Sequence, residues 1–336
     1  PGGASTILRE SDVDAAVRET ARGGLLRRGL GVPFADVAAI TNISEDHLGD
    51  FGSANLAELT DIKWLVIDAL QDRGIAVLNA DDAILVERAS RHGGPRVWFS
   101  MHADNEVVRN DSSVAFVLEG DTLPRHSHGS AVALCKAAEI PVTLGATARH
   151  NIANALAAAA VAHALGVPDE VIAAGLRSMP VEANPGRSNL YQVRGAEVLL
   201  DFAHNPEAMA ALFHMARLRP AHRRVLCFGQ AGDRTDAQIR ELARGAWAIG
   251  LDKVVVSELA TYHRGREAGE VYDLIRDELL QCGATPDQVS HNTTEAESLS
   301  EALDWAEPGD AVIMLALGEA AALREVLAEA EQSTPT

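Results

Sequence analysis

Short runs of β-branched and other apolar residues recur along this chain, and each run ends at a small or acidic residue that is followed by a helical stretch. This alternation is typical of a mostly parallel β-sheet with helices on both faces, and it excludes an all-α or all-β fold. The fold class that we predict is therefore α/β, with strands at Val37–Ile43, Ile75–Asn79, Val97–Ser100, Val198–Phe202, Val225–Gly229, Val254–Ser257 and Val312–Leu315.

The alternation is interrupted between residues 105 and 144. Strand-like runs at Val114–Leu118 and Ile140–Leu144 lie on either side of a polar stretch, Asp121–Ser130. A polar stretch between two strands has no room for a crossover helix, so this part of the chain favours antiparallel pairing or a local insertion.

The chain has 336 residues, which at about 150 residues per domain favours two domains. A long helix at Asn151–Leu165 and a shorter one at Glu170–Arg177 lead into a segment with two prolines and a glycine, Met179–Gly186. Such a segment is a good linker, and the strand–helix alternation restarts after it. We predict a first domain over residues 1–186, a second over 187–331 and a polar tail over 332–336.

Composition excludes several classes of partner. With 48 acidic and 29 basic residues the formal net charge is −19, which disfavours a broad basic surface for nucleic acid. No apolar run reaches the roughly 18 residues of a membrane span. The three cysteines, Cys135, Cys227 and Cys282, share no metal-ligand spacing and fit reduced thiols. We predict a cytoplasmic location, with neither nucleic acid nor membrane as a partner.

Two groups of candidate site residues lie in the first predicted domain. The pair Asp46-His47 follows the first strand, where α/β sheets bind ligands, and Lys63 comes sixteen residues after His47 on a predicted helix. Glu19, close to a pair of glycines, is a candidate for Mg²⁺, which prefers one or two carboxylates with phosphates and water. Taken singly, each also fits an ordinary loop or surface residue.

A second set of candidates has the chemistry of nucleotide recognition. Asn151 and Asn154 are three residues apart, so on a helix both amides lie on one face and suit an adenine edge. The guanidinium of Arg187 can form a bidentate hydrogen bond with a phosphate, and Asp201 at a strand end can bind ribose hydroxyls. For the asparagines, the alternative is a plain helix cap with a solvated amide.

Taken in order, these stretches resemble the Mur ligase family of ATP-dependent amino-acid ligases over about residues 5–325, and within it the Mur-like portion of cyanophycin synthetases. The resemblance is carried by the segment Glu19–Leu30, by Asp46-His47-Leu48-Gly49 with its step to Lys63, and by Arg264-Gly265-Arg266. It implies a central ATPase-type domain with a parallel sheet and a C-terminal Rossmann-like α/β domain.

The resemblance also implies roles for individual residues. Glu19, His47 and Lys63 match ligands of two Mg²⁺ ions, and the position of Lys63 is carbamylated in many relatives. Asn151 and Asn154 match residues that contact the adenine of ATP, and Arg187 and Asp201 match residues that contact the phosphates and the ribose. A general nucleotide-side role is implied for His204 and Asn205. Lys63, His47 and Arg187 would form the catalytic group.

One departure from the family pattern is large. These ligases carry a glycine-rich phosphate loop that ends in Gly-Lys-Thr or Gly-Lys-Ser, and this sequence contains no Gly-Lys dipeptide. Either the loop lies upstream in a longer polypeptide, together with the ATP-grasp domain of cyanophycin synthetases, or the protein is a remnant without it.

The leading hypothesis is a ligase that adds arginine to an aspartate chain through an acyl phosphate, with ATP, an amino acid and a peptide or polymer as its partners. Another Mur-type ligase, acting on a peptidoglycan precursor or on folate, is an alternative. A catalytically inactive module that binds nucleotide or supports a homo-oligomer is a third.

Overall fold

The computed structural model describes residues 12–44, 55–111, 114–183, 186–203 and 206–332. The chain forms two compact units. Unit 1 contains Pro1–Ala146 and His150–Met179, and unit 2 contains Thr147–Arg149 and Pro180–Thr336. The main division thus falls after Met179, a few residues before the predicted domain boundary at residue 186.

Unit 1 contains a six-stranded sheet whose strands follow one another in space in the order of the chain. The first four strands pair in parallel, and the last two form an antiparallel extension, as the change of pattern predicts. The strands are β1 (Ala35–Ile40), β2 (Leu70–Asn79), β3 (Arg96–Ser100), β4 (Val114–Val117), β5 (Thr122–Ser127) and β6 (Ser130–Lys136).

Helices cover both faces of this sheet, and the residues that anchor them alternate along the strands. Val77 and Phe99 pack into one apolar cluster, whereas their neighbours Leu78 and Trp98 pack into another. This is the period-two pattern of a strand that is buried on both sides. The helices are α1 (Arg22–Arg28), α2 (Leu56–Asp68), α3 (Ala83–Ala89), α4 (Glu106–Asn110), α5 (Arg149–Ala164) and α6 (Asp169–Ser178).

Unit 2 contains a second six-stranded sheet, ordered β11-β10-β9-β12-β8-β7, in which β7 and β8 alone pair antiparallel. Its strands are β7 (Asn189–Val193), β8 (Ala196–Asp201), β9 (Arg224–Phe228), β10 (Lys253–Ser257), β11 (Val289–Asn292) and β12 (Ala311–Leu315). Its helices are α7 (Pro206–Leu218), α8 (Asp236–Trp247), α9 (Glu270–Gln281), α10 (Glu295–Trp305) and α11 (Ala320–Gln332).

The predicted α/β class is confirmed, and each of the seven predicted parallel strands is present. The strand predicted at Ile140–Leu144 is wrong. Pro141–Thr143 forms a 3₁₀ turn there, and the hydroxyl of the buried Thr143 donates to the carbonyls of Ala137 and Ile140. A hydroxyl that binds nearby carbonyls competes with strand pairing, and Pro141 lacks the N–H that a ladder needs.

The polar stretch Asp121–Ser130 is also structured, because it contains β5 and the start of β6. Arg125 of β5 forms a bidentate ion pair with Asp169 at the start of α6, with its Nη2 at 2.7 Å from Oδ2. The Arg125 guanidinium lowers the pKa of this carboxyl. The polar strand β5 is therefore attached to α6 by an ion pair rather than by apolar side chains. No helix in the described part of the chain has the length and hydropathy to cross a bilayer.

Candidate functional site

A cavity of about 880 Å³ lies along β1 in unit 1. All six residues of β1 line it, together with the coil at residues 14–21, the first residue of α1 and side chains of α2 and α5. Glu19 from the coil and Lys63 from α2 both face this cavity, as do Thr41 and Asn42 just beyond the end of β1. Two of the three predicted magnesium ligands thus line the same cavity, although they lie 44 positions apart in the chain.

Lys63 is half-buried, and its ammonium is directed by the main chain. The Nζ atom donates to the carbonyl oxygen of Asn42 at 3.1 Å. Asn42 follows β1, so this bond places the lysine head at the carboxyl end of a parallel strand, where ligands of α/β sheets bind. The third predicted ligand, His47, lies outside the described residues.

Magnesium is bound by oxygen donors, usually one or two carboxylates together with phosphate and water oxygens. Of the predicted ligands that are described, Glu19 offers a carboxylate, whereas the ammonium of Lys63 repels a cation unless it is carbamylated. Within residues 12–44, 55–111, 114–183, 186–203 and 206–332, no group of three or more His, Cys, Asp or Glu side chains is arranged to share a metal ion. The described side chains alone do not fit a Mg²⁺ site, and the ligand roles remain predictions.

Asn151 and Asn154 lie near the start of α5 and contact each other, as their spacing predicts. The Nδ2 atom of Asn154 donates to Oδ1 of Asn151 at 3.3 Å, and Nδ2 of Asn151 donates to the carbonyl oxygen of Val142 at 2.6 Å. Asn151 is buried with 6% exposure, whereas Asn154 is exposed. Asn151 therefore supports the loop before the helix, and Asn154 is the amide that a ligand can reach.

This difference gives a testable expectation. Asn151→Ala should lower the free energy of unfolding by about 1–3 kcal/mol, because it leaves the Val142 carbonyl without its donor. Asn154→Ala should change stability by no more than about 0.5 kcal/mol and act on nucleotide affinity alone. Urea unfolding and titration with a fluorescent ATP analogue measure the two effects. Equal loss of stability in both variants would contradict these separate roles.

Arg187 and Asp201 lie close together in unit 2 at a turn that enters β7. Asp201 ends β8, and its Oδ2 accepts from the backbone N of Ser188 at 2.6 Å and from its hydroxyl at 3.0 Å. The φ angle of Ser188 is +52°, a left-handed conformation that a non-glycine residue adopts at a cost. Arg187 is exposed, with its guanidinium 5.8 Å from the ring centre of Phe202.

Asp201 thus stabilises the turn that presents Arg187, and its ribose-binding role remains a prediction. His204 and Asn205 lie outside the described residues. The start of the following helix at Pro206 is as predicted, because proline suits the first turn of a helix.

The carboxyl edge of the unit 2 sheet holds a cluster that the sequence did not reveal. Glu258 follows β10, and its two carboxylate oxygens each lie 2.8 Å from a histidine Nε2, Oε1 from His263 and Oε2 from His291. The His291 pair has hydrogen-bond geometry, whereas the His263 contact is an ion-pair distance only. The ring of His291 stacks on Tyr272 at 4.3 Å. His291 lies on β11, 33 residues after Glu258, so no local sequence pattern indicates this cluster.

Two further features of this edge are structural. Glu295 is fully buried, and its carboxylate accepts backbone N–H bonds from Leu317, Gly318 and Glu319. Burial, together with the negative charge of Glu319, raises the pKa of Glu295 despite these three bonds. Gly232 has no room for a side chain, because a Cβ there would lie 1.9 Å from the His263 carbonyl oxygen.

The buried thiols are not candidates for nucleophiles. Burial raises the pKa of both Cys135 and Cys227, and a thiol that stays protonated reacts slowly.

Comparison with known proteins agrees with the two-unit architecture. Residues 4–162 match the model of the Mur ligase middle domain, and residues 186–318 match that of the Mur ligase glutamate ligase domain. Cyanophycin synthetase from Synechocystis sp. is 34% identical over 94% of this chain and 36% of its own length. The enzyme of that name from Geminocystis herdmanii is 36% identical over 82% of this chain and 32% of its own length. The chain spans about a third of these curated relatives.

Solved structures share the fold at low identity. FolC from E. coli, in complex with DHPP and ADP, has a TM-score of 0.64 at 18% identity, over 91% of this chain and 64% of that one. MurF from Acinetobacter baumannii has a TM-score of 0.61 at 20% identity, over 89% of this chain and 60% of that one. With both units matched by models of one family, the chain belongs to the Mur ligase family and consists of its middle and C-terminal domains.

Proposed function

We propose that this chain is the Mur-like portion of an ATP-dependent ligase of the cyanophycin synthetase type, which adds arginine to an aspartate chain. The observation that carries the proposal is the cavity along β1, because Glu19 and Lys63 both line it and the ammonium of Lys63 binds the carbonyl of Asn42 at the carboxyl end of that strand. The identity of 34–36% to two cyanophycin synthetases over most of the chain supports this choice of substrate.

The proposed reaction has two steps. A carboxylate oxygen of the aspartate chain attacks the γ-phosphorus of ATP, the bond to the β-γ bridging oxygen breaks, and ADP leaves. The α-amino group of arginine then attacks the acyl carbon and loses a proton, phosphate departs with the bonding electron pair, and an isopeptide bond forms. Each step develops charge on oxygen, which fixed cationic donors stabilise.

The residues of this chain divide these tasks in the proposal. Arg187, exposed on the turn that Asp201 stabilises, is the donor for phosphate oxygens, since a guanidinium binds them through two parallel N–H groups. Asn154 is the reachable amide for the adenine. His204 and Asn205 keep a general nucleotide-side role. Magnesium ligation by Glu19, His47 and Lys63, an upstream ATP-grasp domain, a homo-oligomer and a cytoplasmic location are further parts of this proposal.

The identity of the product tests the proposal. The test uses a polypeptide that joins this chain to an upstream phosphate loop. It is incubated with ATP, an aspartate-chain primer and one amino acid at a time, and the mass of the primer is then measured by mass spectrometry. We expect the mass of one arginine residue to be added, with stoichiometric phosphate release. Addition of glutamate to a folate, or of an amino acid to a UDP-muramoyl peptide, would favour another Mur-type ligase. Nucleotide binding without any product would favour an inactive module.

For the peptidoglycan alternative, one sequence feature is unfavourable. Ser257-Glu258-Leu259-Ala260 stands where an Asp-Asn-Pro-Arg substrate motif is expected. Ala260 occupies the position of the arginine in that motif, and its methyl group cannot provide the cationic contact to a substrate carboxylate that a guanidinium offers.

A further inference from the structure

The three residues that follow β1 each have a backbone group that is bound by a side chain from a different part of the chain, and the first two, Thr41 and Asn42, line the cavity. The Thr41 carbonyl accepts from Nδ2 of Asn79 at 2.9 Å, and the Asn42 carbonyl accepts from Nζ of Lys63 at 3.1 Å. The Ile43 N–H donates to Oδ2 of Asp82 at 2.6 Å. We refer to residues 41–43 as the exit segment.

The exit segment needs these side chains because the sheet has ended. The last pair of the β1–β2 ladder is Ile40 with Leu78, so the backbone groups beyond Ile40 have no strand partner in β2. Unpaired backbone groups cost free energy when they are buried, and Ile43 has an exposure of 6%. Side chains from the end of β2 and from the start of α3 replace the missing ladder.

The carboxylate of Asp82 binds backbone N–H groups of two segments at once. Its Oδ1 accepts from the backbone N atoms of Ile84 and Leu85 at 2.9 and 3.1 Å, which caps α3, and its Oδ2 holds Ile43. Asn79 is fixed in the same way, because its Oδ1 accepts from the backbone N of Asp81 at 2.9 Å. Both residues are therefore anchored on their own loop before they reach across to the exit segment.

We propose that Asn79 and Asp82 are positioning residues of the candidate site: they fix the exit segment so that the Asn42 carbonyl directs the ammonium of Lys63 into the cavity. That this cavity is catalytic rests on the proposed function. The placement of Lys63 by Asn79 and Asp82 does not rest on the proposed function, so an experiment can test the placement and the function separately.

The neighbouring aspartate provides a matched control. Asp81 is on the same loop, but its carboxylate accepts from the hydroxyl of Ser100 at 2.5 Å, the backbone N of Met101 at 2.6 Å and Nδ2 of Asn105 at 3.0 Å. These three bonds stabilise the segment after β3, and none of them involves the exit segment. An effect that is specific to the exit segment should therefore appear in variants of Asp82 and not of Asp81.

Asp82→Asn has one carboxamide oxygen in place of two carboxylate oxygens, so it can cap α3 or accept from Ile43 but not both. Asp82→Ser keeps a preferred capping residue, while its single short hydroxyl leaves Ile43 without an acceptor. If the asparagine variant unfolds, the serine variant still tests the proposal.

The experiment measures two local quantities in the full chain. Amide hydrogen exchange at Ile43 should quicken about 10-fold in Asp82→Ser, because the N–H loses its acceptor while global stability is kept. Asp82→Asn should show the same change when its single oxygen caps α3. The acetylation rate of Lys63, resolved by mass spectrometry from the other two lysines, should change several-fold in these variants and in Asn79→Asp. Asp81→Asn should leave both quantities unchanged.

A kinetic measurement connects the positioning role to the reaction. In a polypeptide that forms the arginine product, Asp82→Ser should lower kcat at least 10-fold and leave KM for ATP within about 2-fold, since an interaction made in the transition state is lost. Unchanged Ile43 exchange, or an equal change in Asp81→Asn, would overturn the proposal. If exchange and acetylation change as expected but a polypeptide that supplies the phosphate loop forms no arginine product, the positioning role stands and the proposed function is refuted instead.

Discussion

Incubated with ATP, arginine and an aspartate-chain primer, the 336-residue chain is expected to release phosphate at least 10²-fold more slowly than a longer polypeptide that supplies a phosphate loop. None of the three lysines, Lys63, Lys136 and Lys253, follows a glycine, so the sequence has no Gly-Lys-Thr or Gly-Lys-Ser end of such a loop. A phosphate loop provides several backbone N–H donors and a lysine charge. Loss of even one preorganised donor costs about 10²–10³ in rate.

The measurement is continuous phosphate release by both proteins at saturating ATP. A control variant of the longer polypeptide, with the loop lysine replaced by alanine, should fall toward the rate of the 336-residue chain. Weak ATP binding by the short chain remains compatible with the expectation, because the proposed contacts of Asn154 with the adenine and of Arg187 with phosphate oxygens do not require the loop. Rapid turnover by the short chain alone would mean that another element replaces the loop.

Most of the parallel strands could be predicted from the sequence because they are buried on both faces and therefore consist of continuous apolar runs. In β3, for example, Val97, Trp98 and Phe99 are all buried, although they point to both sides of the sheet. The parallel strand β11 was missed, since only the first of its four residues is fully buried. The antiparallel hairpin of β5 and β6 could not be predicted in this way. Its strands contain Pro124 at a shift of register and four exposed residues at the start of β6, so neither composition nor alternation marks them.

The parts of the candidate site that lie on one helix were predictable, and those that join distant segments were not. The contact between Asn151 and Asn154 follows from helical spacing alone. The side-chain amide of Asn151 also donates to the carbonyl of Val142. This bond depends on a turn at Val142 where the sequence predicts a strand, so it could not be predicted. The meeting of Glu19 and Lys63 in one cavity came from the family resemblance, since no local pattern connects a coil with a helix so far along the chain.

Asn79 and Asp82 were missed although the sequence contains a signal for one of them. An aspartate before an apolar helical run is a typical N-cap, and Asp82 precedes Ala83-Ile84-Leu85. The cap explains one carboxylate oxygen only. The partner of the other oxygen, Ile43, lies 39 residues earlier and is brought close by the parallel pairing of β1 with β2, which a local pattern cannot reveal.

Lys63→Ala is expected to abolish arginine addition by a polypeptide that contains the phosphate loop, with a fall in kcat of at least about 10²-fold. The substitution removes the one lysine that faces the cavity and is held by a carbonyl at the end of β1. Lys63→Arg should fail as well. A guanidinium keeps the charge, but its planar shape does not reproduce a compact ammonium and it forms no carbamate of the kind that the resemblance implies at this position.

The other lysines show why this effect should be specific to Lys63. Lys136 has 60% of its side chain exposed and pairs with Asp121 at 3.1 Å on an outer strand, so Lys136→Ala is a matched control that should retain full activity. Surface ion pairs of this kind contribute at most about 1 kcal/mol. Thermal unfolding should be similar in both variants, so that a loss of rate in Lys63→Ala alone cannot arise from misfolding. If Lys63→Ala kept activity within a few-fold of the unsubstituted protein, Lys63 would be an ordinary solvated lysine, and the cavity along β1 would lose its place in the proposed reaction.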